Sequence, residues 1–160
     1  MYFTTDLHIH SRYAAATSKY LGLDTLYQWA RIKGIDVIGT GDFTHPAWFA
    51  ELRDRLEPLG NGFFSLKNPP ADLPCLVRAA GKEPVFCLTT EINCETIFNG
   101  RLRRVHNLVY APDFETVEKI TARIAKMCNL AEDGRPTLKL PSRDLLEITL
   151  ESSKDAYFIP

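Results

Sequence analysis

The fold is decided by one stretch in which a helix ends, a strand follows and a second helix begins: Lys33-Gly34-Ile35-Asp36-Val37-Ile38-Gly39-Thr40-Gly41-Asp42-Phe43-Thr44-His45-Pro46. Gly34 is typical of a helix end and Pro46 of a helix start, and the apolar run between them has the length of a buried strand. Leu26, Trp29 and Ala30 precede it at helical spacing. The stretch therefore predicts the strand–helix unit from which parallel sheets are built.

The same alternation extends outward in both directions. Further strands are predicted at residues 2–9, 85–91, 104–110 and 156–160. Further helices are predicted at residues 46–56, 113–127 and 144–148. A turn-rich stretch at about residues 57–84 breaks the pattern and is predicted to be an insertion. The sequence thus predicts an α/β fold of mostly parallel strands with outer helices.

Composition sets limits on function. The chain has 160 residues, 45% of them hydrophobic and 24% charged, with a formal net charge of -1, which is ordinary for one globular domain without a global attraction to nucleic acid or membranes. No apolar run approaches the roughly 20 residues that cross a bilayer, and the N-terminus lacks a basic leader, so a cytoplasmic location is predicted. The scattered cysteines favour reduced, buried thiols over a disulfide or a zinc–thiolate site: Cys75, Cys87, Cys94 and Cys128.

Histidines and carboxylates gather at the predicted strands and the loops that follow them. Asp6-Leu7-His8-Ile9-His10 places alternate side chains on one face of a strand, so His8 and His10 can bind the same ion. Six side chains are candidate metal ligands: His8, His10, Asp42, His45, Glu91 and His106. Taken alone, the pair His8 and His10 fits ordinary polar residues at a strand end as well as it fits a metal site. The other four, taken singly, are more commonly a cap, a surface residue or a core histidine. Together they predict a site for divalent ions, with zinc, manganese or iron favoured over calcium.

These motifs resemble those of the PHP (polymerase and histidinol phosphatase) superfamily, which opens with Asp-x-His-x-His. Residues 6–13, 33–46 and 104–108 are more narrowly similar to its endonuclease Q-like branch, and the resemblance covers essentially the whole chain. It implies an incomplete PHP-type (βα) barrel, TIM-barrel-like, in which residues 1–160 form the N-terminal part of the phosphoesterase domain. The remaining barrel strands, with later metal ligands, would lie beyond Pro160.

The resemblance also implies a function: a metal-dependent DNA-repair endonuclease that cuts on the 5′ side of a deaminated base or an abasic site. His8 and His10 would bind a first metal, Glu91 would bridge two metals and His106 would bind the second, with two or three metals in a complete barrel. Asp42 would be the ligand of the second motif. The chain departs from many members at Phe43 and Ala16, which occupy histidine positions, while His45 follows two residues after Phe43. Arg12, close to His10, is a candidate contact for a DNA phosphate.

Two other functions stay open on these residues. A small-molecule phosphatase of the same superfamily would use the same metals, and a non-catalytic interaction module would keep half a metal centre or none. An amidohydrolase fits less well, because residues 41–45 do not match it. Since a barrel without its later strands leaves unpaired strand edges, the chain alone is predicted to be inactive and to associate with itself.

Overall fold

The computed structural model describes residues 2–71 and 83–160. Within these ranges the strands are β1 (Thr5–Asp6), β2 (Val37–Gly39), β3 (Leu56–Pro58), β4 (Phe64–Leu66), β5 (Val85–Phe98), β6 (Arg101–Ala111), β7 (Thr137–Leu138) and β8 (Tyr157–Ile159). The helices are α1 (Leu23–Lys33), α2 (Pro46–Arg55), α3 (Phe114–Ile124) and α4 (Ser142–Ser152). The α/β class predicted from the sequence is confirmed. Cys75 and part of the predicted insertion lie outside the described residues.

A parallel core of three strands forms the centre of the sheet. β1 pairs with β2 in the register Thr5↔Val37, and β2 pairs with β5 in the register Val37↔Val85. The connection between β1 and β2 contains α1, which ends at Gly34 in the left-handed conformation with φ 70. This is the strand–helix unit that the opening stretch predicts.

Antiparallel strands are added around that core. β5 and β6 form a long hairpin that turns at Asn99 and Gly100, both of which have positive φ. The prediction that His106 stands on a parallel strand is wrong, because a two-residue turn can only join antiparallel neighbours. β8 then pairs antiparallel with β6, and the short β7 pairs parallel with β5.

Two predicted boundaries are also wrong. The first predicted strand reaches only Asp6, so His8 and His10 lie in the loop that follows β1. Within the predicted insertion, β3 and β4 form a hairpin whose Phe64 pairs with Phe86 of β5, so residues 56–66 belong to the sheet. Among the described residues the sheet does not close into a barrel, and a TIM-barrel-like closure is not seen.

The core packs helices against this sheet. Trp48, Leu52 and Phe86 are fully buried, and Trp48 Nε1 donates a hydrogen bond to the Gly41 carbonyl at 2.8 Å, which ties α2 to the loop after β2. The amphipathic helix predicted at residues 113–127 is seen as α3, capped by the Asp113 carboxylate. Among the described helices, none has the length and apolar character needed to cross a membrane.

The described cysteines are free thiols. Burial raises the pKa of Cys87 to about 12 and that of Cys94 to about 11, which favours the protonated thiol at neutral pH. Cys94 is buried as predicted, whereas Cys87 is only partly buried, and their reduced state stays a prediction.

Candidate metal centre

Three segments bring the candidate ligands together: the loop after β1, strand β5 and strand β6. In the β5–β6 register Glu91 faces Leu108 and Asn93 faces His106, so Glu91 and His106 stand two positions apart on one face of the hairpin. The loop after β1 places His8 and His10 over the same face. The convergence predicted for these four side chains is seen.

The carboxylate of Glu91 is the centre of the cluster. Its Oε2 lies 2.8 Å from His8 Nε2 and 3.2 Å from His10 Nε2, while its Oε1 contacts Nδ1 of His106. Glu91 is only 3% exposed. A buried carboxylate thus faces two imidazoles with one oxygen and a third imidazole with the other.

The donor set fits a divalent ion. Ligand atoms of His8, His10 and Glu91 all lie within 4.8 Å of one another, which is the spacing of groups around one ion. Burial acts to raise the pKa of Glu91, but the hydrogen bonds with His8 and His106 outweigh it and hold that pKa below its ordinary value. Glu91 is therefore ionised at neutral pH, the form that binds metals. The role of each residue as a ligand stays a prediction.

Asp42 contacts His10 on the side of the imidazole ring that faces away from Glu91. Its Oδ1 is 2.9 Å from His10 Nδ1, and its Oδ2 accepts hydrogen bonds from the Ser11 backbone N–H at 2.6 Å and the Ser11 hydroxyl at 2.8 Å. The hydrogen bond with Asp42 is the main cause that raises the pKa of His10. The sequence predicts Asp42 as a metal ligand; in the structure its oxygens are engaged with His10 and Ser11. A carboxylate behind a ligating imidazole commonly fixes the tautomer and direction of that ring.

Two glycines, Gly41 and Gly134, allow the backbone to pack closely around Asp42. Gly41 and Asp42 both have positive φ, and a Cβ on Gly41 would lie 2.4 Å from the Ile9 carbonyl oxygen. On the other side, a Cβ on Gly134 would lie 2.6 Å from Asp42 Cγ. Sequence reasoning missed Ser11 and Gly134 as parts of the site. Gly134 lies far along the chain from Asp42, and nothing in the order of residues links the two.

Two predicted site residues lie outside the cluster. His45 is 7% exposed, stacks on Tyr13 with ring centres 4.4 Å apart, and has Nε2 3.3 Å from the Ala131 carbonyl. The structure therefore does not bring His45 to the group formed by His8, His10 and Glu91. Arg12 donates from Nη2 to both carboxylate oxygens of Glu51 on α2, at 2.6 Å each. Its predicted phosphate contact stays a prediction.

Replacing Asp42 with asparagine tests its position behind His10. In the carboxylate, His10 contacts Oδ1 and Ser11 donates to Oδ2, whereas an amide has only one oxygen. The amide NH₂ would then face either His10 or the Ser11 donors. The His10 ring would lose its fixed direction if the NH₂ faces it. We expect the affinity for Zn²⁺ or Mn²⁺ to fall about 10- to 100-fold, measured by calorimetry, while the circular dichroism spectrum is kept. The control is Asp113→Asn, which alters a carboxylate that also accepts a backbone N–H but lies at the start of α3. Equal metal affinity in the Asp42 and Asp113 variants would contradict the positioning role.

Two solved structures are similar to this chain. The chain is similar to the crystal structure of the lesion-specific endonuclease PfuEndoQ from Pyrococcus furiosus, with a TM-score of 0.74 and 27% identity over 98% of the chain. It is also similar to an endonuclease Q in complex with a 27-mer duplex substrate that has an abasic lesion at the active site, with a TM-score of 0.75 and 28% identity over 98% of the chain. The resemblance to the endonuclease Q-like branch is confirmed.

The similarity covers only part of those proteins. The chain spans 33% and 34% of the two solved chains. It is also 29% identical to MJ0043, an uncharacterized protein of Methanocaldococcus jannaschii, over 149 aligned residues. The aligned region covers 92% of this chain and 15% of that protein. No protein-family model matches the chain.

Proposed function

We propose that this chain forms the metal-binding part of a DNA-repair endonuclease that cuts the phosphodiester on the 5′ side of a deaminated base or an abasic site. The observation that carries the proposal is the Glu91 carboxylate, buried between three imidazoles in a fold similar to endonuclease Q. The solved relative with an abasic duplex supports DNA with a damaged base as the partner.

Two adjacent ions account for the arrangement best. His8, His10 and Glu91 Oε2 would hold the first, and Glu91 Oε1 with His106 would hold the second. Imidazole with carboxylate suits zinc, manganese or iron. Ala16 offers no ligand at the position where many three-metal relatives carry a histidine. Bound ions of this kind lower the pKa of a water molecule and neutralise charge on the phosphate.

The protein's own residues supply position. Asp42 holds the His10 ring by Nδ1, which leaves Nε2 free to face Glu91 Oε2. Ser11 holds Asp42 in turn, and the Gly134 backbone closes over the Asp42 side chain. His8, with about half of its side chain exposed, stands at the open side where a phosphate could approach.

Replacing His8 with alanine tests the proposal. The exposed side chain can be removed without opening the core, so the fold should persist while one ligand of the first ion is lost. We expect wild-type chain with Mn²⁺ to bind a duplex with one abasic site or deoxyinosine more tightly than an undamaged duplex. The preference should fall at least about tenfold in the His8→Ala variant or with EDTA, since losing even an outer residue costs 10- to 100-fold in metal affinity.

The matched control is His45→Gln, which alters a histidine outside the cluster. This variant should keep metal and DNA affinity and lose only stability. Fluorescence anisotropy measures binding, and a labelled strand reports nicking. Equal binding with and without metal and lesion would contradict the proposal, and rapid hydrolysis of simple phosphomonoesters would favour the small-molecule phosphatase instead.

The open sheet supports two more parts of the proposal. β8 pairs with β6 on one side and with no other described strand, and its Tyr157 and Ile159 are exposed. An apolar cleft lined by Leu7, Val37 and Tyr110 lies beside it. An unpaired edge next to apolar surface favours self-association, which sedimentation would reveal.

If later strands of a full barrel add ligands, as the family resemblance implies, the chain alone cuts DNA poorly.

A further inference from the structure

The segment that leads into β7 touches the surroundings of the metal centre at two points. Gly134 packs so closely on Asp42 that a Cβ there would lie 2.6 Å from Asp42 Cγ. Two residues later, the Pro136 carbonyl accepts a hydrogen bond from the Asn93 backbone N–H at 2.9 Å. Asn93 shares a face of the β5–β6 hairpin with Glu91. The residue between these two contacts therefore lies at the edge of the metal centre.

That residue is Arg135, and it is tied to the loop that carries His10. Its Nη2 donates a hydrogen bond to the Ala15 carbonyl at 3.1 Å. The backbone N–H of the neighbouring Gly134 donates to the Tyr13 carbonyl at 2.9 Å. These two hydrogen bonds hold the arginine beside the loop after β1.

The positive charge of Arg135 also acts on a candidate metal ligand. The hydrogen bond with Asp42 is the main cause that raises the pKa of His10, and the charge of Arg135 opposes that rise. Such an effect requires the guanidinium to be near the ring, because distant charges are screened by solvent and salt. Arg135 therefore belongs to the charges that surround the ligating imidazole.

No carboxylate pairs with Arg135 within residues 2–71 and 83–160. By contrast, Arg12 forms an ion pair with Glu51, and Arg104 forms one with Glu95. The side chain of Arg135 is only partly exposed, and its Nε is buried without a hydrogen-bond partner among the described residues. Arginines that leave water are usually paired, since an unpaired charge is costly there. Arg135 thus has the surroundings of a group that waits for an anion.

Metal ions at the centre would make an anion beside Arg135 more favourable. The guanidinium and the ions are all positive, so they repel each other when close together. An anion between them would offset this repulsion and be attracted from both sides. The planar fork of N–H donors on a guanidinium matches two oxygens of a phosphate group. A phosphate group therefore suits both the charge and the shape of this position.

We propose that Arg135 binds the non-bridging oxygens of the phosphodiester at the metal centre. This inference rests on the proposed function and names the side chain that holds the phosphate there. Because the phosphate offsets the repulsion between Arg135 and the ions, metal and phosphate should each raise the affinity of the chain for the other.

The test measures binding of the dinucleotide TpT, which has a single phosphodiester and no lesion, to the chain loaded with Mn²⁺. Broadening of the phosphorus NMR line by Mn²⁺ reports binding at the ions. We expect Arg135→Gln to lower the affinity about tenfold, as for the loss of a charge-assisted hydrogen-bonding partner. Arg135→Lys keeps the charge without the fork and should bind with an affinity between those of wild type and Arg135→Gln. Metal affinity without TpT, measured by calorimetry, should not fall in either variant.

The matched control is Arg103→Gln. Arg103 is exposed, and in the β5–β6 register it lies on the face opposite Glu91 and His106. Its replacement removes the same charge from another face of the molecule, so the affinity for TpT should stay at the wild-type value.

Several results would overturn the inference. These are a wild-type chain that binds no TpT, Arg135→Gln with wild-type affinity for TpT, and Arg135→Lys that binds no better than Arg135→Gln. A lower metal affinity of Arg135→Gln without TpT would show that the residue only joins the two loops, and also overturns it. Should circular dichroism show that Arg135→Gln is unfolded, Arg135→Lys decides: weaker TpT binding at unchanged metal affinity supports the inference, and wild-type binding overturns it.

The lesion preference of the wild-type chain tests the proposed function separately. If that preference is seen but Arg135→Gln binds TpT as wild type does, the inference fails and the proposed function stands. If Arg135→Gln loses TpT binding but wild type shows no lesion preference, the inference stands and the proposed function fails.

Discussion

Replacing Glu91 with glutamine is expected to abolish metal binding by the chain. The carboxylate faces three imidazoles, and a neutral amide would offer one weaker oxygen and turn an NH₂ toward the ligand nitrogens. Because the loss of even an outer residue costs 10- to 100-fold in affinity, losing this group should cost more than about 100-fold. Calorimetry with Zn²⁺ or Mn²⁺ measures the loss. Glutamine has nearly the same shape, so the fold should be retained.

Glu95→Gln is the matched control for this change. Glu95 lies on the same strand and the same face, and it pairs with Arg104 instead of an imidazole. Its replacement should leave metal affinity unchanged. Wild-type affinity in the Glu91 variant would show that the ions are held by other residues.

Replacing Gly41 with alanine is expected to destabilise the chain by about 3 kcal/mol. A left-handed backbone costs an L-residue about 1 to 2 kcal/mol, and overpacking adds about 1 to 3 kcal/mol. The new Cβ would lie 2.4 Å from the Ile9 carbonyl oxygen and 2.9 Å from His10 Cα, and backbone atoms cannot rotate away as a side chain does. The loop with His8 and His10 must shift, so metal affinity should fall as well. Urea unfolding and calorimetry measure the two effects.

Gly60→Ala separates the two causes. Gly60 also has positive φ, at +79, but a Cβ there meets nothing within 4 Å. Only the backbone cost of about 1 kcal/mol should appear, with unchanged metal affinity. Equal destabilisation of both variants would show that Ile9 and His10 do not pack against Gly41 as the structure has them.

The convergence of His8, His10, Glu91 and His106 could be predicted from the sequence because part of its signal is local. His8 and His10 are two residues apart in the sequence. Glu91 and His106 each lie in a segment whose residue types predict a strand, residues 85–91 and 104–110. Their convergence holds although the geometric reasons were partly wrong. His8 and His10 lie in a loop, and His106 reaches Glu91 through an antiparallel hairpin instead of a neighbouring parallel strand.

Other features depend on contacts between distant residues, which a single sequence does not show. His45 stands three residues after Asp42, yet the start of α2 turns its ring onto Tyr13. Arg12 pairs with Glu51, 39 residues away. Asp42 sits behind His10 because positive φ at Gly41 and Asp42 redirects the loop, and neither angle is readable from residue order.

The hairpin β3–β4 and the antiparallel course of β6 were missed for a related reason. Short strands such as Leu56–Pro58 include polar residues and proline, which lower the strand signal, and they are stabilised by pairing with neighbours. Strand direction depends on the connection, and Asn99-Gly100 was the one local sign of it.

Anomalous diffraction from crystals grown with Mn²⁺ or Zn²⁺ tests the central claim most directly. The account predicts one ion within coordinating distance of His8 Nε2, His10 Nε2 and Glu91 Oε2, and a second between Glu91 Oε1 and His106. It also predicts that Asp42 keeps its contact with His10 Nδ1 and touches neither ion. Anomalous peaks at other residues, or no peak at this cluster under saturating metal, would contradict the account.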